Sequence, residues 1–489
     1  LQQCAKQPDA LALSGSDQWL DYQQLADAVA QLGALLHTLP EHTLGLALDN
    51  SPLWAALDLA GLSAGKIIIP LPFFFSAEQI AHSLRDAGIR CVLTDQPDLY
   101  QKILKSTGIT AKSTYAHYVS GREITEIRLD IPARTLPAGT VKVTYTSGTT
   151  GHPKGVCLSA EAIYQVAYSL LDATHGKPDD QHVSLLPLST LLENLAGVYV
   201  PLLAGATCHL LPQATVGLSG SSGLDVQKML GALTRCLATT TILTPQLLQA
   251  LVSAIEAGQA KPAQLRFVAI GGATVSGRLL QRAAALGLPV YEGYGLSECA
   301  SVVSLNTETA HCPGSTGKPL PHIRLKFTDE GEILVAGANL LGYTGGAPLP
   351  KDDYWPSGDI GHLDEAGFLH LTGRKKNIFI TSFGRNVSPE WVESELTLQP
   401  AIAQAAVFGE ARPWNVAIIV PRGNASATQI DHAIAAANLV LPDYARVKHW
   451  LPATVPFLPQ NGQLTANGRL KREVIWREYQ TAIETRYSE

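Results

Sequence analysis

Residues 144–156 read TYTSGTTGHPKGV, with three glycines, four threonines, one serine and one lysine. Such a run has little to bury, but its chemistry suits an anion. Ser147, Gly148, Thr149, Thr150 and Gly151 can form a turn whose backbone N–H groups converge on phosphate oxygens. Glycine permits positive φ and close approach, the hydroxyls add donors, and Lys154 adds a point charge. The order is not the G-x-x-x-x-G-K-[S/T] loop, because this lysine follows Pro153 and precedes Gly155. A shorter Gly/Thr/Ser run would read as a polar surface loop after the strand VKVTYT; the full run ending in Pro-Lys-Gly favours the anion. A second chemical stretch, GYGLSE, follows LPVYE and so falls at the carboxyl end of a strand, where open α/β sheets bind ligands. Alone, Tyr294 reads equally as a core tyrosine, Glu298 as a solvated carboxylate and Ser357-Gly358-Asp359 as a β-turn.

The elements that must position these residues follow an α/β rhythm, with helical and strand patterns alternating over the first ~140 residues. In YQQLADAVAQLGALLHTL, Leu25, Val29, Leu32 and Leu36 recur at three- and four-residue spacing, which predicts an amphipathic helix. TLGLALD predicts a strand, LWAALDLAGLSAG a helix stopped by Gly65, and KIIIPL a buried strand. AEQIAHSLRDAG then IRCVLTD repeats helix and strand. HVSLLPL, TCHLL, TTTILTP and QLRFVAIGGA predict further strands, GLSGSSG from Gly217 a short flexible loop, and residues 315–373 a β-rich region. After Arg374 the pattern restarts with NIFITS, a helix from Pro389, AIAQAAVFG, NVAIIV and a polar tail. The predicted fold class is α/β. A large N-terminal domain over residues 1–375 holds mixed and parallel sheets with helices plus the β-rich part. A small α+β domain covers residues 376–489.

A chain of 489 residues exceeds one ordinary core, in keeping with two domains. Net charge is −6, from 36 basic and 42 acidic residues, and no basic block points to nucleic acid or to an anionic membrane surface. The longest apolar runs contain prolines and are too short to span a bilayer. Seven scattered cysteines, never spaced C-x-x-C, read as reduced thiols of a cytoplasmic enzyme, not as a disulfide frame or a zinc site. No signal peptide is visible. The chain starts at Leu1 and its one methionine is Met229, so the true N-terminus is expected to be missing.

YTSGTTGHPKGV resembles the signature loop of the ANL adenylate-forming superfamily: acyl- and aryl-CoA synthetases, luciferases and peptide-synthetase adenylation domains. YEGYGLSE (291–298), GSTGKP (314–319), SGD (357–359), GRKKNIFITSFGRNVSPEWVE (373–393) and NGRLKR (467–472) follow in the family's order, over nearly the whole chain. The resemblance implies a carboxylate and ATP giving an acyl-adenylate and pyrophosphate, then attack by a thiol. It implies that Thr146 to Lys154 grip the β- and γ-phosphates and that Tyr294 and Gly295 face adenine. Ser297, standing for the usual threonine, would meet the α-phosphate and Glu298 would hold Mg²⁺. Gly271, Gly272 and Ala273 would line the adenine and acyl pockets. Asp359 would bind the ribose hydroxyls with help from Arg374. Lys376 falls at the hinge about which the mobile small domain rotates between half-reactions, and Gly384 would let backbone approach the pantetheine arm. Gly384 reads equally as an ordinary turn glycine.

One position departs from the pattern. The family's C-terminal loop carries a lysine in NGK-x-x-R that reaches the carboxylate and the α-phosphate; here Arg469 occupies it and Lys471 lies two residues on. Arginine keeps the charge and can grip two oxygens, but it is larger and planar. Three readings stay open: Arg469 does the lysine's work, Lys471 does it through a shifted loop, or adenylation is weak and the protein binds acyl-AMP or catalyses chiefly the thiol step.

For the acid, LPLSTLLENLAGVYVPLLAGA from Leu186 marks the pocket. Thr190 stands where many small-acid and aryl relatives have histidine and where amino-acid adenylators have aspartate. Without an aspartate a buried ammonium would lack a partner, which argues against an amino acid. The stretch looks most like bacterial long-chain acyl-CoA synthetases, with Glu193 and Asn194 either gating a tunnel or bonding to neighbours. The leading expectation is therefore a fatty acid as substrate, CoA as acceptor and ATP with Mg²⁺ as cosubstrate. A fatty-acid substrate leaves peripheral membrane contact open. The alternatives are delivery to an acyl carrier protein, or a non-catalytic acyl-AMP-binding homologue.

Overall fold

The computed structural model describes residues 2–119, 121–146, 153–219, 223–349, 353–465 and 468–488. Its first core forms because strand residues alternate sides. In Ile67–Pro70, Ile68 points to one core while Ile67 and Ile69 point to another; in Cys91–Thr94, Leu93 and Val92 divide the same way. These strands belong to an eight-stranded sheet, ordered Gly342–Tyr343, Lys154–Ser159, Thr140–Thr146, Ile67–Pro70, Thr43–Ala47, Cys91–Thr94, Arg122–Leu129 and Ala111–Val119. A nine-stranded sheet is built likewise: Phe267 of Phe267–Ile270 joins the first core, while Val268 and Ile270 face a third. Both sheets are parallel at the centre and antiparallel at their edges.

The first core takes side chains from both sheets, with helices Tyr22–Thr38, Pro52–Ser63 and Ala160–Thr174 between them. Tyr22–Thr38 starts at a reciprocal cap between Asp21 and Gln24 and buries Leu25, Leu32 and Leu36. Pro52–Ser63 is apolar almost all round because it is enclosed on both sides, and Gly65 at φ +65° turns the chain out of it. A third, antiparallel sheet of Arg324–Phe327, Glu332–Ala336, Trp355–Leu363 and Leu369–Arg374 occupies the predicted β-rich region.

From Phe379 onward the chain builds cores of its own. The three-stranded sheet Ile402–Phe408, Asn415–Pro421, Val447–Pro452 sends Val407 and Ile419 to one face and Ala406 and Ile418 to the other. Three sequence expectations are corrected. The polar tail contains helix Ala427–Asn438, strand Val447–Pro452 and helix Arg472–Ser488. The stretch around GLSGSSG carries a short antiparallel pair, Leu218–Ser219 with Gly223–Leu224. Residues 111–129, read as part of the helix–strand rhythm, form a long edge hairpin whose outer strand is largely exposed and so carries no alternating apolar signal. Among the described residues no helix is long and apolar enough to cross a membrane.

Candidate functional site

The site lies in a cleft of about 3110 Å³ between the large sheets and the small domain. Strands Thr140–Thr146 and Lys154–Ser159 pair antiparallel with Thr146 opposite Lys154. Ser147, Gly148, Thr149, Thr150 and Gly151 lie outside the described residues. The Thr146 hydroxyl donates to the Lys154 carbonyl at 3.5 Å, and the Lys154 ammonium lies 5.4 Å from the centre of the Tyr343 ring. The Tyr343 hydroxyl donates to Glu298 Oε1 at 2.9 Å. Burial and this carboxylate keep the Tyr343 phenol well above its ordinary pKa, so it remains the donor. Glu298 is thus held near the only lysine of the run. One fixed carboxylate that leaves room for phosphate oxygens and water fits Mg²⁺.

The turn around Glu298 is strained. Ser297–Cys299 is one turn of 3₁₀ helix, followed by Ala300 at φ +51° and Ser301 at φ +99°. A Cβ on Gly295 would lie 1.6 Å from the Ser301 carbonyl oxygen, so that close approach requires glycine there. Gly295 and Ser297 both line the cleft.

Strands Phe267–Ile270 and Val290–Tyr294 run parallel side by side and deliver Gly271, Gly272, Ala273 and Tyr294 to the cleft. Tyr294 is 8% exposed, with its ring at the cleft and its hydroxyl donating to Asp359 Oδ2 at 2.8 Å. Arg374 Nε meets Asp359 Oδ1 at 2.8 Å, across the ladder between Trp355–Leu363 and Leu369–Arg374. Burial pushes the Asp359 carboxyl up, opposed by Arg374, Tyr294 and Arg469. A carboxylate has about four lone-pair sites, so these contacts leave Asp359 further acceptor capacity.

The small domain supplies the last cation. Gly468, at φ +76°, and the Thr465 hydroxyl, which accepts from the Arg469 N–H at 3.0 Å, shape its loop. Arg469 Nη2 then donates to the Gly272 carbonyl at 3.0 Å. Burial, followed by repulsion from Arg374, pulls the Arg469 guanidinium below its usual range, against the pull of Asp359 and Glu298. Lys376, in the turn after Leu369–Arg374, is lowered by burial and then by Arg374 and Arg469. These three cations stand close enough to repel one another, beside the carboxylates of Asp359, Glu298 and Glu390; such a cluster of positive charge suits an anion. Lys471 lines the cleft too, its backbone N–H bonded to Gln463. Ser276 bonds Glu395 at 2.7 Å and Gln249 bonds the Thr397 carbonyl at 2.9 Å, which fixes this docking of the two domains.

Two expectations shift. Thr190 lines the cleft, its hydroxyl donating to the Pro187 carbonyl, but Glu193 and Asn194 face away from it into the core. Glu193 Oε1 lies 3.2 Å from His182 Nε2. Asn194 belongs to a fully buried cluster. In it Lys142 Nζ meets Asp58 Oδ1 at 2.7 Å, and Asp58 Oδ2 accepts from Tyr199 and Asn194 at 2.7 and 2.9 Å. Gly384, at φ +71°, sits at the turn of the hairpin Phe379–Ile380 with Asn386–Val387 and is not among the residues lining the cleft. Its turn accounts for the glycine. Sequence reasoning missed Tyr343 and Lys142; a lone lysine inside the apolar strand TVKVTYT was the available signal for the second.

Glu292, on the strand leading to Tyr294, also lines the cleft; burial pushes its carboxyl up to about 7 although the Gly314 N–H lowers it. A raised carboxyl contributes stability that is complete below its unfolded value of 4.5 and is lost as pH rises through about 7. Glu292→Gln is therefore expected to stabilise the fold above neutrality and to bring no gain below about pH 4. Urea unfolding at several pH values checks this, and a gain independent of pH would contradict it.

The cleft thus gathers a small-domain cation at a strand-end glycine turn and a Tyr–Asp–Arg chain beneath it, the residues that the adenylate-forming resemblance singled out. The AMP-binding enzyme family matches residues 1–343, and the AMP-binding enzyme C-terminal domain matches residues 376–489. The chain belongs to this family of adenylate-forming AMP-binding enzymes. A long-chain-fatty-acid–CoA ligase, FadD15, of Mycobacterium bovis is 25% identical, over 89% of this chain and 86% of the relative. An indoleacetate–CoA ligase of Aromatoleum aromaticum is 27% identical, over 96% and 95%. Among solved structures, the anthranilate CoA ligase AuaEII with anthranoyl-AMP aligns at TM-score 0.82 and 19% identity, over 99% of this chain and 96% of that one. The O-succinylbenzoate CoA synthetase MenE of Bacillus subtilis, with ATP and magnesium, aligns at 0.74 and 24%, over 96% and 98%. These two show the fold.

Proposed function

We propose that the protein joins a medium- or long-chain fatty acid to CoA through an acyl-adenylate, with release of pyrophosphate. The observation that carries the choice of acid is the stripe Leu192, Ala196, Val200 and Ala204, four residues apart on one face of the helical segment 191–204, which walls the cleft beside Thr190. Such a wall offers a hydrocarbon chain apolar contact and no charge. The fatty-acid–CoA ligases among the relatives support this reading.

In this reading the 146–154 run holds the β- and γ-phosphates, Tyr294 covers adenine and Asp359 with Arg374 takes the ribose. Glu298 would hold Mg²⁺, which offsets charge on the phosphates. Arg469, already at Gly272, draws the carboxylate onto the α-phosphate, and Ser297 donates to the same phosphate. Crowding of Arg374, Lys376 and Arg469 is relieved when the polyanion enters and returns when pyrophosphate leaves. That change gives the small domain a reason to rotate about Lys376 toward the thiol step, bringing the turn at Gly384 to the pantetheine arm. The seven thiols stand free, as in a reducing cytosol.

The test is pyrophosphate release with ATP, Mg²⁺ and acids from acetate to palmitate, with benzoate and indoleacetate for comparison, each with and without CoA. Burial of a methylene contributes about 0.8 kcal/mol, so kcat/KM is expected to rise by up to ~4-fold per added carbon until the wall ends. CoA is expected to accelerate turnover. Release that peaks on an aryl acid, or that ignores chain length, would defeat the fatty-acid reading. Release indifferent to CoA would point to a carrier protein as acceptor.

A further inference from the structure

Away from the cleft, the surface of the third sheet brings together a thiol, an imidazole and a carboxylate. One ligand atom from each of Cys312, Asp364 and His370 lies within 4.8 Å of the other two, and all three residues are half-buried. Asp364 Oδ2 and His370 Nε2 are 3.0 Å apart. That spacing is close to the edge of a small tetrahedron around a metal with bonds of ~2.0–2.3 Å.

The cluster is held ready by its surroundings. Asp364 Oδ1 accepts the N–H groups of Ala366 and Phe368 at 3.0 and 2.9 Å, which fixes the carboxylate and leaves Oδ2 for a ligand. His370 stands in the ladder opposite His362, with the two rings stacked at 5.3 Å. Cys312 comes from a different segment. Asn306 Oδ1 accepts the Cys312 N–H at 2.9 Å, and Asn306 Nδ2 donates to the Ser315 carbonyl at 2.7 Å. The loop is tied to the hairpin by the Thr316 N–H, which donates to the carbonyl of Leu369, next to His370, at 2.8 Å.

We propose that Cys312, Asp364 and His370 form a binding site for one thiophilic divalent cation such as Zn²⁺, separate from the site for ATP and Mg²⁺. Sulfur and nitrogen donors favour Zn²⁺ or Co²⁺ over Mg²⁺, which demands oxygen. Three protein ligands leave a fourth position for water. Binding replaces the Asp364–His370 hydrogen bond with two metal bonds, shifts the imidazole proton to Nδ1 and releases the Cys312 thiol proton to solvent. Because Glu292 accepts from Gly314 in the same loop, the cation would clamp a segment that also borders the cleft.

The metal-free protein is titrated with Co²⁺ in excess Mg²⁺, reading the sulfur-to-cobalt charge-transfer band and the intense visible bands of tetrahedral cobalt. One equivalent is expected to produce both, Zn²⁺ to bleach them, and protons to be released in step. Cys312→Ser is expected to abolish the charge-transfer band, and His370→Gln to weaken binding by ~10-fold or more. Cys4→Ser with Cys236→Ser, which removes the other half-buried thiols, is expected to leave both unchanged. Each variant's metal-free circular dichroism and Mg²⁺-dependent ATP binding establish that it is folded. A wild-type protein without the band, a band that survives Cys312→Ser, or an affinity unmoved by His370→Gln would overturn the proposal.

Discussion

Arg469→Met is expected to lower acid-dependent pyrophosphate release by ~10²–10³-fold, the usual cost of removing a preorganised charge from a developing anion. The loop delivers this guanidinium to Gly272 within the field of Asp359 and Glu298, and no other small-domain cation makes a hydrogen bond there among the described residues. Methionine keeps the stem and removes the charge, so the fold and ATP binding are expected to persist. Transfer from supplied acyl-adenylate to CoA is expected to be affected far less, since that step needs no new bond at phosphorus. Arg469→Lys is expected to restore part of the rate, because the charge returns without the planar fork. A loss confined to Lys471→Met instead would give the role to the neighbouring lysine. The measurement is pyrophosphate release with single-turnover thioester formation alongside.

Asp58→Ala is expected to destabilise the protein by ~3–5 kcal/mol, the range for removing one partner of a buried ion pair. Lys142 and Asp58 are both fully buried, and burial already lowers the Lys142 ammonium against the opposing pull of Asp58. The network joins the strand Thr140–Thr146, through Lys142, to the helical segment 191–204 that lines the cleft, through Asn194 and Tyr199. Its loss is therefore expected to raise KM for the acid as well as to lower the urea midpoint. Asp58→Leu combined with Lys142→Met removes both charges and is expected to recover much of the stability. A double variant as unstable as the single one would show that packing, not the unpaired ammonium, sets the cost.

Much of this organisation was legible in the sequence because it is local. Helix Tyr22–Thr38 shows its buried face at three- and four-residue spacing, and the glycine turns at Gly271 and Gly295 follow short runs rich in strand-forming residues. What stayed hidden is long-range. Glu298 finds Tyr343 45 positions away, and Asp58 finds Lys142 84 positions away, with no spacing rule to signal either. Glu193 shows a subtler loss. The stripe Leu192, Ala196, Val200 was readable and puts residue 193 on a different face, next to Gly197. There a Cβ would lie 2.4 Å from Glu193 Oε1, so the glycine makes room for the Glu193–His182 pair. In helix Ala427–Asn438, Ile430, Ala433, Ile434 and Ala437 carried the helical period, but the polar residues between them masked it.

The central claim is that the cleft makes an acyl-adenylate. Its most direct test is the exchange of labelled pyrophosphate into ATP, with Mg²⁺ and a fatty acid present and CoA absent, because exchange requires the adenylate to form and reverse. The account predicts exchange that depends on the acid, strengthens with chain length toward palmitate and falls ~10²–10³-fold in Arg469→Met. Absence of exchange with every acid from acetate to palmitate, in protein shown to bind ATP, would contradict it.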